Sequence, residues 1–433
     1  MSNPVPIVEK IPKEAGREIY ELIAELFPIC RSITGNGLRQ TLDVLKRYVP
    51  LEIHEVPSGT QVFDWTVPKE WNIRDAYVMK SRGERIIDFQ KSNLHVLNYS
   101  TPVRRTVTLA ELKEHLHTLP EHPDWIPYKT SYYREDWGFC LSHNAMTRLQ
   151  DDQYDVWIDS TLEDGALTYG EFLLEGEEET EILISCHACH PSLANDNLSG
   201  VALAAMLARH LGTCRRRYSY RFLFIPGTIG AITWLALNEQ STNRIQNGLV
   251  LTGLGDAGMI TYKRSRRGNA EIDRVAAYVL KQAGQDHRII DFHPYGYDER
   301  QYCSPGFDLP VGRISRTPYG EYPEYHTSAD NLDFVCPETL QGSFETIMKI
   351  LSTLDNNRVY LNLKPKCEPQ LGRRGLYRTA DGHKELALLW VLNLSDGNHT
   401  LLDVAECSGM FFSEIREAAD ALVENGLLEE KSK

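Results

Sequence analysis

A chain of 433 residues, 42% hydrophobic and 24% charged, has the composition of a folded protein, and its length calls for two or three domains rather than one core. Its formal net charge of −14 sets the average field against nucleic acid and anionic membranes, so neither is an expected partner. The sequence shows no run of about 18 apolar residues, which excludes an expected membrane-spanning helix.

The opening segment, MSNPVPIVEKIPKEAG, lacks the charged-then-apolar pattern of a secretory leader. With nine scattered cysteines this points to reduced thiols and a cytoplasmic location. Cys186 and Cys189 form a CxxC with no second pair, a poor zinc knuckle, and the run Arg215, Arg216 and Arg217 reads as a solvated turn.

Apolar residues at helical spacing mark a helix over 18–30, and GNGLRQTLDVLKRYV supplies a second amphipathic helix. From residue 51 the texture changes to short alternating runs, LEIHEV, TQVFDWTV, DAYVMK, IIDFQ and LHVLNYS, which predict a small β-rich insertion up to residue 130. YDVWIDSTLEDGALTYGEFLL resumes strand-like alternation. Between 180 and 355, strands alternate with helices: EILIS, GVALAAMLARHL, RYSYRFLFIPG, AITWLALN, NGLVLTGLG, AEIDRVAAYVLKQAG, RIIDFHP, LPVGRIS and PETLQGSFETIMKILSTL. That order predicts an α/β fold with a mostly parallel mixed sheet and helices on both faces, whose ligands gather at the carboxyl ends of the strands.

After Gly372 the pattern is helix, polar turn, short helix, turn, helix and a final LLEE, the order of a winged helix. Its third helix carries Glu414, Glu417, Asp420 and Glu424 against a single Arg416, which disfavours DNA reading and favours protein contact. The domain plan is therefore a core of residues 1–50 and 131–370, an inserted β-rich domain over 51–130, and a winged-helix-like domain over 371–433. Either of the last two could mediate homo-oligomer contact.

The chemistry concentrates in EILISCHACHPSLANDNLSG. A buried strand runs into His187 and His190, and a loop then delivers Asp196 just before a helix. Imidazole and carboxylate are ligands that Zn²⁺ prefers. The plainer reading is two satisfied core histidines and an aspartate that caps the helix. A second cluster shifts the balance: RTPYGEYPEYHTSADNLDF places His326 among Glu321, Glu324 and Asp330. Between the clusters the strand NGLVLTGLG runs into Asp256.

These segments carry a resemblance. ILISCHACHPSLANDNLSG and EYHTSADN are similar to the two ligand segments of the co-catalytic zinc aminopeptidases. The wider set HPSLANDNLSG, SRRGNAEIDR, GYDERQ and YPEYHTSADN resembles a bacterial aminopeptidase-like family of polysaccharide biosynthesis. That family combines a zinc aminopeptidase core, of the phosphorylase/hydrolase-like type, with an inserted β module and a winged-helix tail. The resemblance implies one or two zinc ions held by His187, Asp196 and His326, with Asp256 as a further carboxylate ligand. His190 stays open as the alternative to His187.

Two departures stand out. The aminopeptidases carry paired glutamates after the next strand, and the narrower family keeps one; this chain has Gly227 and Thr228 there. Cys189 replaces an aspartate that orients the histidine. Glu324 is the first substitute for the missing base, with Glu321, Asp298 and Glu299 behind it; the plainer reading of Asp298 and Glu299 is a salt-bridge network with Arg300. Tyr322, Tyr325 and Arg313 are candidates to bind substrate and stabilise an oxyanion. The implied activity is zinc-dependent hydrolysis of an amide or peptide bond beside a free amino group, with metal-bound water as nucleophile. The alternative is an impaired homologue that binds an amino sugar, peptide or biosynthetic partner without turning it over.

Overall fold

The computed structural model describes residues 5–6, 11–376 and 382–431; half of the segment read for a leader lies outside them. Contacts divide the chain into two units, Met1–Asp273 with Asp286–Glu345, and Arg274–Gln285 with Thr346–Lys433. Among the described residues no helix is long and apolar enough to cross a membrane.

The first unit is built on an eight-stranded mixed sheet. Its strands are β1 (Glu52–Pro57), β2 (Ala166–Leu174), β3 (Glu181–His187), β4 (Ser219–Ile225), β5 (Ile245–Leu251), β6 (Ile260–Lys263), β7 (His287–Ile290) and β8 (Val311–Ser315). The spatial order is β7-β6-β8-β5-β3-β4-β2-β1. The centre, β4-β3-β5-β8, is parallel, and β1, β2 and β6 pair antiparallel at the flanks. Every residue of β3 is buried, as the near-continuous apolar run of a central parallel strand requires. The helix Gly200–Leu211 that follows is apolar on every side until Arg209 and His210 in its last turn, and it buries ten of its residues.

The inserted module differs in extent from the sequence expectation. LEIHEV does not belong to it, since β1 pairs with β2 in the large sheet. The four-stranded sheet of the insertion is instead Arg85–Asp88, Glu70–Lys80, Gln153–Glu163 and Val103–Thr108, in that order. Alternation identifies a strand but not its partner, so residues on either side of 51 and 130 fell in the wrong sheet. LHVLNYS is not a strand: Asn93–His95 forms a 3-10 turn, and the amides of Leu97 and Asn98 bond to Gly138 and Lys129 in loops. One core cluster runs through both sheets, from Trp71 and Tyr154 to Leu183 and Leu223.

A charged clamp joins the insertion to the core. Arg39, on the helix Asn36–Leu45, donates to both Glu70 oxygens at 2.7 Å, and Glu70 also accepts the Ala166 amide at 3.0 Å. The Arg39 pairing holds the Glu70 carboxyl well down, to about 2.

The second unit contains the helices Gly382–Leu394, Leu401–Ser408 and Phe412–Glu424 and the three-stranded sheet Asp396–Thr400, Val359–Asn362, Leu428–Glu430. Val359–Asn362 starts it earlier than residue 371, because that strand pairs with both others. Thr400 caps the middle helix in a reciprocal box with Asp403.

Candidate metal centre

The carboxyl ends of β3 and β4 meet at one point: His187 is in register with Ile225, and Gly227 lies two residues beyond it. The loop after β3 then delivers His190 and Asp196. His187 Nε2 lies 2.9 Å from Asp196 Oδ1, and His190 Nε2 is 3.8 Å from Oδ2. His326 comes from the far loop, and its Nε2 stands 3.0 Å from Asp196 Oδ2. The last pair is off the hydrogen-bonding direction, so both atoms are buried yet without a hydrogen bond. Ligand atoms of His187, His190 and Asp196 all lie within 4.8 Å of one another. A buried carboxylate oxygen and an imidazole nitrogen facing each other without a bond, with two more imidazoles alongside, is a donor set that fits a zinc ion.

Electrostatics agree with that chemistry. Burial pushes His190 well below the ordinary imidazole range, which leaves a neutral ring able to act as a ligand. Burial opposes charge on His187, but its hydrogen bond to Asp196 and the negative charges of Asp196, Asp298 and Glu299 together outweigh that and raise it. Asp196 is fully buried, which disfavours its charge; the surrounding histidines prevail and hold it well below the usual carboxylate range.

A dense set of bonds fixes Asp196 in place. Asp330 accepts the amides of Asn195 and Asp196 at 2.6 and 2.9 Å. Asn197 bonds the carbonyls of His187 and Leu251, stitching the ends of β3 and β5 together. His326 (φ 57°) and Thr228 (φ 63°) hold left-handed backbone that favours glycine, a strain tolerated where the surroundings dictate a side-chain position.

Asp256 is placed differently from the sequence reading. β5 ends at Leu251, and the loop turns at Gly253 (φ 56°), carrying Asp256 past the strand end. Its oxygens take Thr317 Oγ1 at 2.6 Å, the Gly258 amide at 2.8 Å and Asn195 Nδ2 at 3.1 Å. It therefore steadies the residue before Asp196 and is not grouped with the histidines. Cys189 supports His190 rather than His187: its Sγ lies 3.1 Å from His190 Nδ1 and accepts the Gly227 amide at 3.3 Å. His187 Nδ1 faces the Asn197 amide nitrogen at 3.3 Å.

A cavity of about 400 Å³ opens beside the cluster, lined by His187, Gly227, Thr228, Tyr297, Asp298, Arg300 and Tyr325, among others. A second, of about 430 Å³, adjoins His326 and Tyr128. Tyr325 lines both and stacks on His326 at 3.9 Å. The other expected substrate residues sit behind these walls. Tyr322 stacks on Phe334 with its hydroxyl buried and unbonded, and Arg313 is buried with its Cζ 5.6 Å from the Tyr297 ring centre. Glu324 and Glu321 line neither cavity, and Glu321 pairs with Arg288. Glu299 forms a buried pair with Lys263 at 2.8 Å instead of a network with Arg300. That leaves Asp298 as the carboxylate at the first cavity; it accepts the Thr228 amide at 2.7 Å, and burial pushes it up to about 6.

Several contributors escaped the sequence reading. Tyr297 stacks on His187 at 5.3 Å, and the buried Arg31 bonds the His190 carbonyl at 2.8 Å. Arg31 stands in a helix-to-helix loop, far along the chain from any ligand motif, so spacing gives no signal for it.

Comparison with known proteins gives a consistent picture. Residues 20–357 match a family described as a domain of unknown function, DUF4910, and residues 358–430 match a winged helix-turn-helix. A Clostridium acetobutylicum protein, provisionally named for polysaccharide biosynthesis and an aminopeptidase-like domain, is 56% identical over 420 residues, covering 96% of each chain. A crystal structure from that organism, provisionally described as a peptidase, superposes with a TM-score of 0.93 at 56% identity over 96% of this chain and 97% of its own. A zinc aminopeptidase from Bacillus subtilis superposes at 0.57 with 13% identity, over 79% of this chain and 95% of its own, a likeness of fold.

Proposed function

The chain belongs to the DUF4910 family and has an aminopeptidase-like fold with a winged-helix domain, and from that premise we propose that it is a zinc-dependent hydrolase of amide or peptide bonds. The observation that carries the reading is the convergence of His187, His190 and His326 on Asp196, with two buried atoms left without a hydrogen bond. These four residues would hold the ion. When bound, zinc supplies a Lewis acid for the carbonyl and activates water near neutral pH.

The chain's own residues do the rest. Asp330, Asn195 and Asp256 hold the Asp196 loop, and Tyr297 and Tyr325 stack on the rings of His187 and His326. Tyr325 closes the wall between the two cavities, where a scissile bond would have room on either side. What is absent is the proton acceptor expected at position 227. A placed base contributes about 10²–10⁴ in rate, so the native chain is a slow hydrolase. The substrate is a small peptide or amino-group-bearing molecule. We place it in polysaccharide biosynthesis on the name of the Clostridium relative.

One observation, Gly227, favours a second reading: a homologue that retains the metal and binds its ligand without turnover. Metal analysis with a panel of aminoacyl anilides tests both. Zinc together with turnover supports the hydrolase, zinc with no turnover on any substrate supports the binder, and absence of zinc from a folded chain removes both.

A further inference from the structure

The first cavity contains a buried charge that the hydrolytic reading does not use. Asp298 is only 2% exposed. Its Oδ1 is satisfied by the Thr228 amide at 2.7 Å, but its Oδ2 is buried with no hydrogen-bond partner. A buried carboxylate oxygen left unpaired is costly, and its natural complement is a donor brought by a ligand. Arg300 lines the same cavity two residues away. It donates to Thr228 Oγ1 at 3.4 Å and its Cζ lies 5.7 Å from the Tyr295 ring centre, but its Nε is buried and unbonded, and among the described residues no carboxylate lies within salt-bridge distance of it. The mouth carries aromatic faces: Trp65 is 40% and Tyr133 52% exposed, and the two meet edge to face at 5.5 Å. Aromatic faces around a carboxylate suit an ammonium group, and a guanidinium suits a carboxylate or phosphate.

We propose that this cavity reads a zwitterion, with a primary ammonium of the ligand on Asp298 Oδ2, an anionic group on Arg300, and the ligand's ring or apolar body against Trp65 and Tyr133. The inference rests on the proposed reading of this cavity as the substrate pocket and names the class of zwitterionic product, itself without an amide bond, that hydrolysis there would release. Two kinds of molecule share the chemistry, an α-amino acid and an amino-sugar phosphate. Neither recognition element requires a metal, so binding can be read with zinc removed.

The test is calorimetric titration of the full-length chain in excess chelator. The probes are L-phenylalanine, L-phenylalaninamide and N-acetyl-L-phenylalanine, with glucosamine 6-phosphate beside glucosamine and N-acetylglucosamine 6-phosphate. At least one zwitterion should bind about tenfold or more tightly than both of its single-charge analogues, the difference made by one charge-assisted hydrogen bond. The parent that does so identifies the source. Asp298→Asn, which keeps an acceptor for the Thr228 amide, should erase the preference for the free amine alone. Arg300→Gln should erase the preference for the anion alone, and unchanged melting of each variant excludes misfolding. Equal binding of a zwitterion and its analogues, no binding of either zwitterion at millimolar concentration, or folded variants with the native pattern would overturn the proposal. Because zinc is absent throughout, a protein that binds this way yet hydrolyses nothing refutes the hydrolase reading and leaves this inference standing.

Discussion

Gly227→Glu returns a carboxylate to the place where the resemblance expects the catalytic base. A Cβ at this position meets His187 Cβ at 3.6 Å, Cys189 Sγ at 3.7 Å and His187 Cγ at 3.9 Å, all ordinary contact distances, and the backbone there is not left-handed. The fold therefore admits a Cβ here without moving backbone, and the cavity that Gly227 lines gives space beyond it. Its carboxylate lies at the start of the helix Ile229–Leu237, where a negative charge contributes about 0.3–1 kcal/mol. Loss of glycine's freedom in the unfolded chain adds about 0.4–1 kcal/mol. Against these stands repulsion from Asp298, which already holds the Thr228 amide. The net stability change is therefore small, while the rate change is large: a placed base supplies about 10²–10⁴. Steady-state hydrolysis of aminoacyl p-nitroanilides by zinc-loaded native and variant chains reads it, with melting and zinc content measured alongside. An unchanged kcat/KM in a folded variant with full zinc would refute the role assigned to position 227.

Three other outcomes follow from the same geometry. Burial raises Asp298 from 3.8 to about 6, so the folded state loses stability as pH rises across that window and keeps it in full below about 4. That rise corresponds to about 3 kcal/mol, so the stability of Asp298→Asn relative to native, from urea midpoints in chelator, should improve by that order between pH 4 and pH 8; a constant difference across the range counts against the buried charge. Glu70 is held low by Arg39, so its contribution is present above the ordinary carboxylate pKa of 4.5 and disappears as pH falls toward about 2. Glu70→Gln should cost about 1–3 kcal/mol at pH 7, read as proteolytic opening of the insertion, and native protease resistance would argue against the clamp. Glu324→Gln should leave hydrolysis unchanged, since Glu324 lines neither cavity; a large loss of activity would restore it as the base.

What the sequence revealed divides along physical lines. β3, the helix Gly200–Leu211 and the loop between them were legible because a continuous apolar run, a small-residue helix and clustered ligand residues are all local. His326 was legible through its motif, and the structure sets it beside Asp196 although 130 residues of chain separate them. Sheet membership was not legible. LEIHEV and YDVWID alternate alike, yet the first joins the large sheet and the second the insertion, since partner choice depends on surfaces that only the folded chain assembles. Asp256 misled for a related reason: strand-end position implies a ligand only if the chain stops there, and the turn at Gly253 carries it on to Thr317 and Asn195. Asp298 was one of four acids crowded in the motif region. What separates it from Glu299 is a backbone amide on one side and a lysine on the other, and no spacing rule distinguishes those.

The most direct trial is zinc stoichiometry by elemental analysis after dialysis, on the native chain and on Asp196→Ala. Native protein that retains one or two equivalents, with the variant retaining none, is the predicted result. A folded native chain without zinc, or an alanine variant that keeps its full complement, would contradict the account at its centre.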